Sequence, residues 1–324
     1  MADSYPDRTN ASGIWNVNEI SKNKIAGGNW PGNFGNRGMF AGGNIPGTSD
    51  VVDFITIPTA GDATDFGNLQ SADRHGCTGS GSTTRGLFCG GGTNNNIEDT
   101  IDYFTIATTG DATDFGNLTG VHRSAGAFGS QTRCITAGGS SNDDYLNVIE
   151  YVTIANTGNG TDFGDLSATN DSGSSGVNSP TRGIVMGGVS FNNRIEFVEI
   201  VSTGNSVDFG DLSSTRGNVG GMSSLTRGIC GGGRNPTFSD VIEYINIASS
   251  GDAADFGDLT SARSYLAGCN NLQRGIFAGG STPSLLNTME FITIASAGDS
   301  ADFGDLTVAR RYLSGLSNGH GGLN

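Results

Sequence analysis

The sequence predicts an all-β protein, a six-bladed propeller with four strands in each blade, and three observations predict it. First, the pentad Asp-Phe-Gly-Asp/Asn-Leu begins at Asp65, Asp114, Asp162, Asp208, Asp255 and Asp302, in steps of 49, 48, 46, 47 and 47 residues. Second, an Arg-Gly pair followed after three residues by Gly-Gly begins at Arg37, Arg85, Arg133, Arg182, Arg227 and Arg274, with Cys134 replacing the first glycine once. Third, the pieces left over at the two ends of the repeat array complement each other. A fixed period of this length is the mark of a repeat architecture, whose units bury apolar surface only against their neighbours.

Each unit supplies four short strands. The Arg-Gly segment is the second, ending at the double glycine. The third is Val52-Asp53-Phe54-Ile55-Thr56-Ile57 and its counterparts from Ile101, Ile149, Ile195, Ile242 and Met289. β-Branched and aromatic residues dominate it, and it is too short and too closely bounded by glycine for a helix. The pentad lies in the fourth strand. The segment after it, as in Ser261 to Gly268, is the first strand of the next unit, and its small residues suit strands crowded around a central channel. Four strands in about 48 residues match one propeller blade.

The copy that starts at Arg37 lacks a first strand, whereas Arg310 to Ser317 is a first strand with no blade after it. Joining the two completes a sixth blade and removes the open edge of the ring. A parallel β-solenoid is the structural rival, but it predicts stacked units with distinct caps.

These units resemble kelch repeats. The resemblance rests on Gly42-Gly43 and Gly279-Gly280 closing the second strand, an aromatic third strand, and an arginine opening the next first strand (Arg74, Arg263, Arg310). It covers roughly residues 36 to 320, and the departure is the absence of a kelch tryptophan near the fourth strand. The domain division is therefore an arm of residues 1–35 and a six-bladed kelch-like propeller over 36–324, closed by the C-terminal strand.

Composition excludes several classes. A net charge of −15 with no basic run is unsuited to nucleic acid or an anionic membrane surface, and the only lysines are Lys22 and Lys24. No apolar run approaches the roughly 18 residues of a membrane span, and the polar opening, Met1 to Asn10, predicts no secretion signal. Cys77, Cys89, Cys134, Cys230 and Cys269 lack the spacing of a zinc site and read as small buried residues.

A residue repeated in every unit is better suited to holding blades together than to forming one asymmetric pocket. The phenylalanines Phe66, Phe115, Phe163, Phe209, Phe256 and Phe303 are expected between blades. The second-strand arginines are expected to pair with acids, drawn from the pentad (Asp65, Asp114, Asp162, Asp208, Asp255, Asp302) or an adjacent blade, in preference to the third-strand set Asp53, Asp102, Glu150, Glu196, Glu243 and Glu290. Turns such as Gly61 to Asp65 have carboxylates three apart, but Asx-turn chemistry accounts for them better than calcium, so no metal and no cofactor is expected. The only histidines are His75, His122 and His320, expected at the surface or between blades. No nucleophile elbow, phosphate loop or metal-spaced cluster appears, and no enzyme activity is expected.

Residues 1–35 carry Gly13-Ile14-Trp15-Asn16-Val17-Asn18-Glu19-Ile20 and then Gly28-Asn29-Trp30-Pro31. This connector, the Thr-Arg-Gly-Ile/Leu-Phe-Ala-Gly-Gly units and the closing Ser317 to Leu323 resemble structural proteins of tailed bacteriophages, particularly marine ones. The resemblance implies a virion component, soluble in the host cytoplasm before assembly, that attaches to other virion proteins through Trp15, Ile20 and Trp30. Its propeller would serve capsid decoration or, as on a tail fibre, adhesion to a host-surface glycan or protein. The loops between second and third strands differ most among the copies and share one face; Tyr145, Phe191, Phe238, Asn95 and Asp144 are its candidate contact residues. The alternatives are a propeller glycosidase or lyase, needing unrepeated acids in one pocket, and a cellular kelch-type scaffold.

Overall fold

The computed structural model describes residues 36–319 apart from 94–95, 143, 171–172 and 189–192. Six antiparallel four-stranded sheets form a closed ring, a six-bladed β-propeller. Blade 1 is made by Ser314–Ser317, Arg37–Ala41, Val51–Thr56 and Thr64–Asn68, from inside to outside. Blades 2 to 6 have inner strands Thr78–Gly81, Gly126–Gly129, Ser175–Asn178, Gly220–Ser223 and Ala267–Asn270, and each runs outward through three further strands in chain order. The expected closure is present, with Met39 opposite Leu316 and Phe40 opposite Gly315. The arm residues Trp15, Ile20 and Trp30 lie outside the described residues.

The pentad repeats because the outer strand bulges there. Val52 pairs with Gly67 and Asp53 with Asp65, so Phe66 is the extra residue, and the same register shift recurs in all six blades. A bulge re-aims a side chain, and here it turns the phenylalanine inward. Phe66 lies edge-on to Phe54 of its own blade at 5.8 Å and to Phe104 of blade 2 at 5.6 Å, which places it between blades as expected. Each such buried ring contributes roughly 1.5–3 kcal/mol.

The bulge also brings the outer strand against the next blade. Gly110 N donates to Phe66 O and Ala112 N to Asn68 O, both at 2.8 Å. Between them, Asp111 Oδ1 accepts Asn68 N at 3.0 Å. Asn159, Asn205, Asp252, Asp299 and Asp62 repeat this contact at the other five boundaries. Gly67 is required because its φ is +149° and a Cβ would sit 2.3 Å from Gly110 O. The turn carboxylates and amides thus clasp the neighbouring strand, where turn chemistry alone had been expected.

The pentad aspartates themselves are exposed and make no ion pair among the described residues. Asp111→Ala should therefore cost about 0.5–1.5 kcal/mol, whereas Asp114→Ala should stay within about 0.5 kcal/mol of wild type. Urea unfolding of the two variants checks the contrast, and equal losses would contradict it.

At the centre, the inner strands crowd. A Cβ on Gly176 would lie 2.0 Å from Ala127 O, on Gly268 2.2 Å from Gly221 O, and on Gly315 2.3 Å from Gly268 O. The small residues of the first strand accordingly line the channel. The five cysteines are buried and free; Cys89 Sγ and Cys134 Sγ, from neighbouring blades, are 3.9 Å apart.

Candidate functional site

Most repeated polar residues are occupied by the fold. The second-strand arginines do reach the neighbouring blade, but through main-chain carbonyls instead of carboxylates. Arg37 Nη1 donates to Ile106 O at 2.7 Å, Arg133 Nη1 to Ile200 O at 2.8 Å and Arg227 Nη1 to Ile294 O at 3.0 Å; Arg85, Arg182 and Arg274 repeat the contact. Each guanidinium also covers the aromatic ring of its own third strand, as Arg274 does Phe291 at 4.3 Å. Arg182 alone meets a carboxylate, Glu199 at 3.1 Å, which belongs to neither expected set. The physical reason is register: Arg37 stands opposite Thr56, at the far end of the strand from Asp53.

Four of the six third-strand acids pair instead with the arginines that open the first strand. Arg74 meets Asp102 at 2.7 Å, Arg310 meets Asp53 at 2.9 Å, Arg263 meets Glu290 at 3.1 Å, and Arg216 bonds Glu243. All are buried. In every blade the acid also accepts the amide that follows the preceding pentad, from Gln70, Thr119, Ser167, Ser213, Thr260 and Thr307. The acid therefore ties the incoming linker to the sheet. Burial pushes the Asp102 carboxyl above its ordinary value and the Arg263 and Arg310 guanidiniums below theirs, with the partner charge opposing each shift.

Blades 3 and 4 depart from this pattern: in blade 4 Glu196 accepts Ser167 N at 3.0 Å and Ser206 Oγ at 3.1 Å, and in blade 3 a histidine replaces the arginine. His122, expected at the surface or between blades, is buried where blade 2 meets blade 3: its carbonyl accepts Gly91 N at 2.8 Å and its Nδ1 lies 3.4 Å from Glu150 Oε1. Burial lowers its pKa from 6.5 to about 4. The unfolded chain binds a proton at His122 before the folded one does, so the stability from neutral His122 is complete above pH 6.5 and is lost as the pH falls towards 4. It amounts to about 3 kcal/mol at most. Glu150, raised chiefly by burial, acts oppositely: its contribution is present when it is protonated and is lost as the pH rises. Melting curves of wild type and His122→Asn across this range isolate the histidine. The wild type should lose stability more steeply on acidification, and parallel curves would contradict the assignment.

The unrepeated chemistry gathers at one mouth of the channel, on the face of the loops between second and third strands. Six residues there adopt left-handed backbone: Gly76, Ser124, Gly173, Asn218, Tyr265 and Tyr312, with φ of +64°, +55°, +93°, +59°, +62° and +57°. Their main chains close a circle in which each amide donates to the preceding residue's carbonyl, from Ser124 N to Gly76 O at 2.6 Å round to Gly76 N to Tyr312 O at 2.8 Å. An L-residue in that region costs about 1–2 kcal/mol relative to the right-handed one. Glycine occupies it without penalty at positions 76 and 173.

The circle rims a cavity of about 110 Å³ lined by Ser124, Ser174, Asn218, Tyr265 and Tyr312 above the inner-strand glycines. The two tyrosine rings lie 4.1 Å apart. Arg311 sits 5.6 Å from both, and Arg234, from a variable loop, 5.7 Å from Tyr265. His75 is 6.0 Å from Tyr312, and its pKa is lowered by burial and then by Arg123 and Arg311. Burial, with Tyr265 alongside, raises the Tyr312 phenol.

Of the loop residues expected to form the contact face, Tyr145 and Asp144 are exposed, and Phe238 is half-buried and bridged to Arg234. Asn95 and Phe191 lie outside the described residues. The sequence reading missed Tyr265, Tyr312, Arg234 and Arg311 as a group. Aligning the copies offers the one available signal: two tyrosines stand where the other four copies carry glycine, serine, glycine and asparagine. Among the described residues, no group of three or more His, Cys, Asp or Glu side chains is placed to hold a metal ion. No protein-family model matches the chain, and no curated protein matches it in sequence.

Proposed function

We propose that this protein is a non-enzymatic virion structural protein of a tailed bacteriophage, with a propeller displayed for decoration or host-surface adhesion and an attachment arm in residues 1–35. The observation that carries the binding-module reading is the division of labour among residues. The third-strand acids and the arginines repeated around the ring are consumed by linker ties and blade contacts, while the unrepeated aromatic and cationic groups collect at one mouth. A glycosidase would need two carboxylates facing a shared cavity, about 5 to 9.5 Å apart. The lining of the channel mouth is glycine, small hydroxyl residues, Asn218, tyrosine and small apolar residues, and includes no carboxylate among the described residues.

The virion assignment itself rests on the phage-like connector and repeat units of the sequence. Its test is fractionation of purified particles. The chain should band with intact virions, and immunogold labelling should find it on their surface. Replacing Trp15 and Trp30 with alanine should release it while the isolated protein keeps its strand content. Recovery of the chain only from the soluble fraction would overturn the assignment.

A further inference from the structure

We propose that the channel mouth binds a carboxylate-bearing sugar, a uronic or sialic-type acid, with Arg234 and Arg311 meeting the carboxylate above the Tyr265–Tyr312 pair. The inference rests on reading the propeller as a binding module; it does not depend on the virion assignment.

Three independent observations support it. The first is backbone strain at two aromatic residues. Tyr265 and Tyr312 hold φ of +62° and +57° at positions where Gly76 and Gly173 complete the same circle of hydrogen bonds. Strain of this kind persists where the surrounding structure enforces it, and it concentrates at ligand sites.

The second is charge. In a chain of net charge −15, Arg123, Arg234, Arg311 and His75 surround the mouth, and none of them meets a carboxylate within ion-pair distance among the described residues. Other arginines of the ring have assigned work: Arg74, Arg216, Arg263 and Arg310 hold acids, and the second-strand set caps the next blade. None of the four lines the cavity itself, but Arg311 and Arg234 stand 5.6 and 5.7 Å from tyrosine rings that do, and the guanidinium fork matches a carboxylate.

The third is unmet hydrogen-bonding capacity. Arg311 Nε, His75 Nδ1 and Ser174 Oγ are buried polar atoms with no partner in the protein, and the last belongs to the cavity wall. Buried polar groups are ordinarily paired, and Ser174 is the one of the three whose residue stands in the cavity wall. The serine hydroxyls, the Asn218 amide and the two tyrosines, set among small apolar residues, suit a polyhydroxylated ring.

The test is a binding titration of the full chain with sialyllactose and with oligogalacturonate. Controls are the same sugars with the carboxyl reduced to an alcohol, inorganic phosphate, and a poly-glutamate peptide. The expected result is binding of an acidic sugar that weakens with salt and falls at least about tenfold on carboxyl reduction, since one charge-assisted hydrogen bond is worth that much. Arg311→Gln and Arg234→Gln should each produce a similar loss. Tyr265→Asn, which places at 265 the residue type already used at 218, should also weaken binding while the melting temperature stays within a few degrees of wild type.

Failure to bind either acidic sugar, equal binding of the reduced forms, or tighter binding of phosphate or poly-glutamate would overturn the proposal. So would wild-type affinity in the arginine variants. Particle fractionation reads the virion assignment separately, so the two readings can fail independently.

Discussion

A chain ended after Leu313 should lose cooperative folding. Residues Ser314–Ser317 form the inner strand of blade 1 and pack against the inner strands of blades 2 and 6. Without them the strand Arg37–Ala41 becomes an open edge facing the channel, and Leu316, now 5% exposed, has no counterpart. Losing that side chain removes about 1.5–3 kcal/mol, and the four paired residues contribute hydrogen bonds of about 1 kcal/mol each. The sum approaches the whole stability of many domains. Urea unfolding followed by circular dichroism, with size-exclusion chromatography to detect association through the open edge, should show a broadened early transition and oligomers. Placing the same segment before Arg37 through a short linker should restore the single transition. A truncated chain that unfolds at the wild-type midpoint would show that the ring does not need its clasp.

Arg74→Ala should be the most damaging single substitution of a charged residue. Arg74 is fully buried and donates to Asp102 at 2.7 Å, to Gly90 O at 2.7 Å and to Thr100 O at 2.5 Å. Removing it leaves the Asp102 carboxylate buried without its counter-charge, and breaking a buried ion pair on one side costs about 3–5 kcal/mol. The effect should depend on pH. Burial already raises the Asp102 carboxyl, and loss of the arginine raises it further. The folded variant then holds a proton that the unfolded chain has released, so the deficit grows as the pH rises and is smaller at acidic pH. The double change Arg74→Met with Asp102→Leu should recover much of the loss, because matched apolar groups do not carry the desolvation cost. Chemical denaturation at two pH values measures both effects, and a pH-independent loss of under 1 kcal/mol would refute the tie between linker and sheet.

The sequence by itself determined the architecture. Six copies of a strand pattern, each unable to bury its apolar face alone, leave few arrangements, and the unpaired second-strand segment at Arg37 with the spare first-strand segment at Arg310 selects the closed ring. Periodicity and strand chemistry are local, and local signals survive in a one-dimensional reading. The tertiary structure alone decided which charges meet. Two arginine sets and two acid sets occur with nearly equal spacing, and only the register, with Arg37 opposite Thr56 and Arg74 beside Asp102, assigns their partners. The same holds for the mouth of the channel. Arg234, Tyr265, Arg311 and His75 are contributed by different blades, and the closing of the circle through Tyr265, Tyr312 and Gly76 brings the two arginines and the histidine within about 6 Å of a shared ring pair.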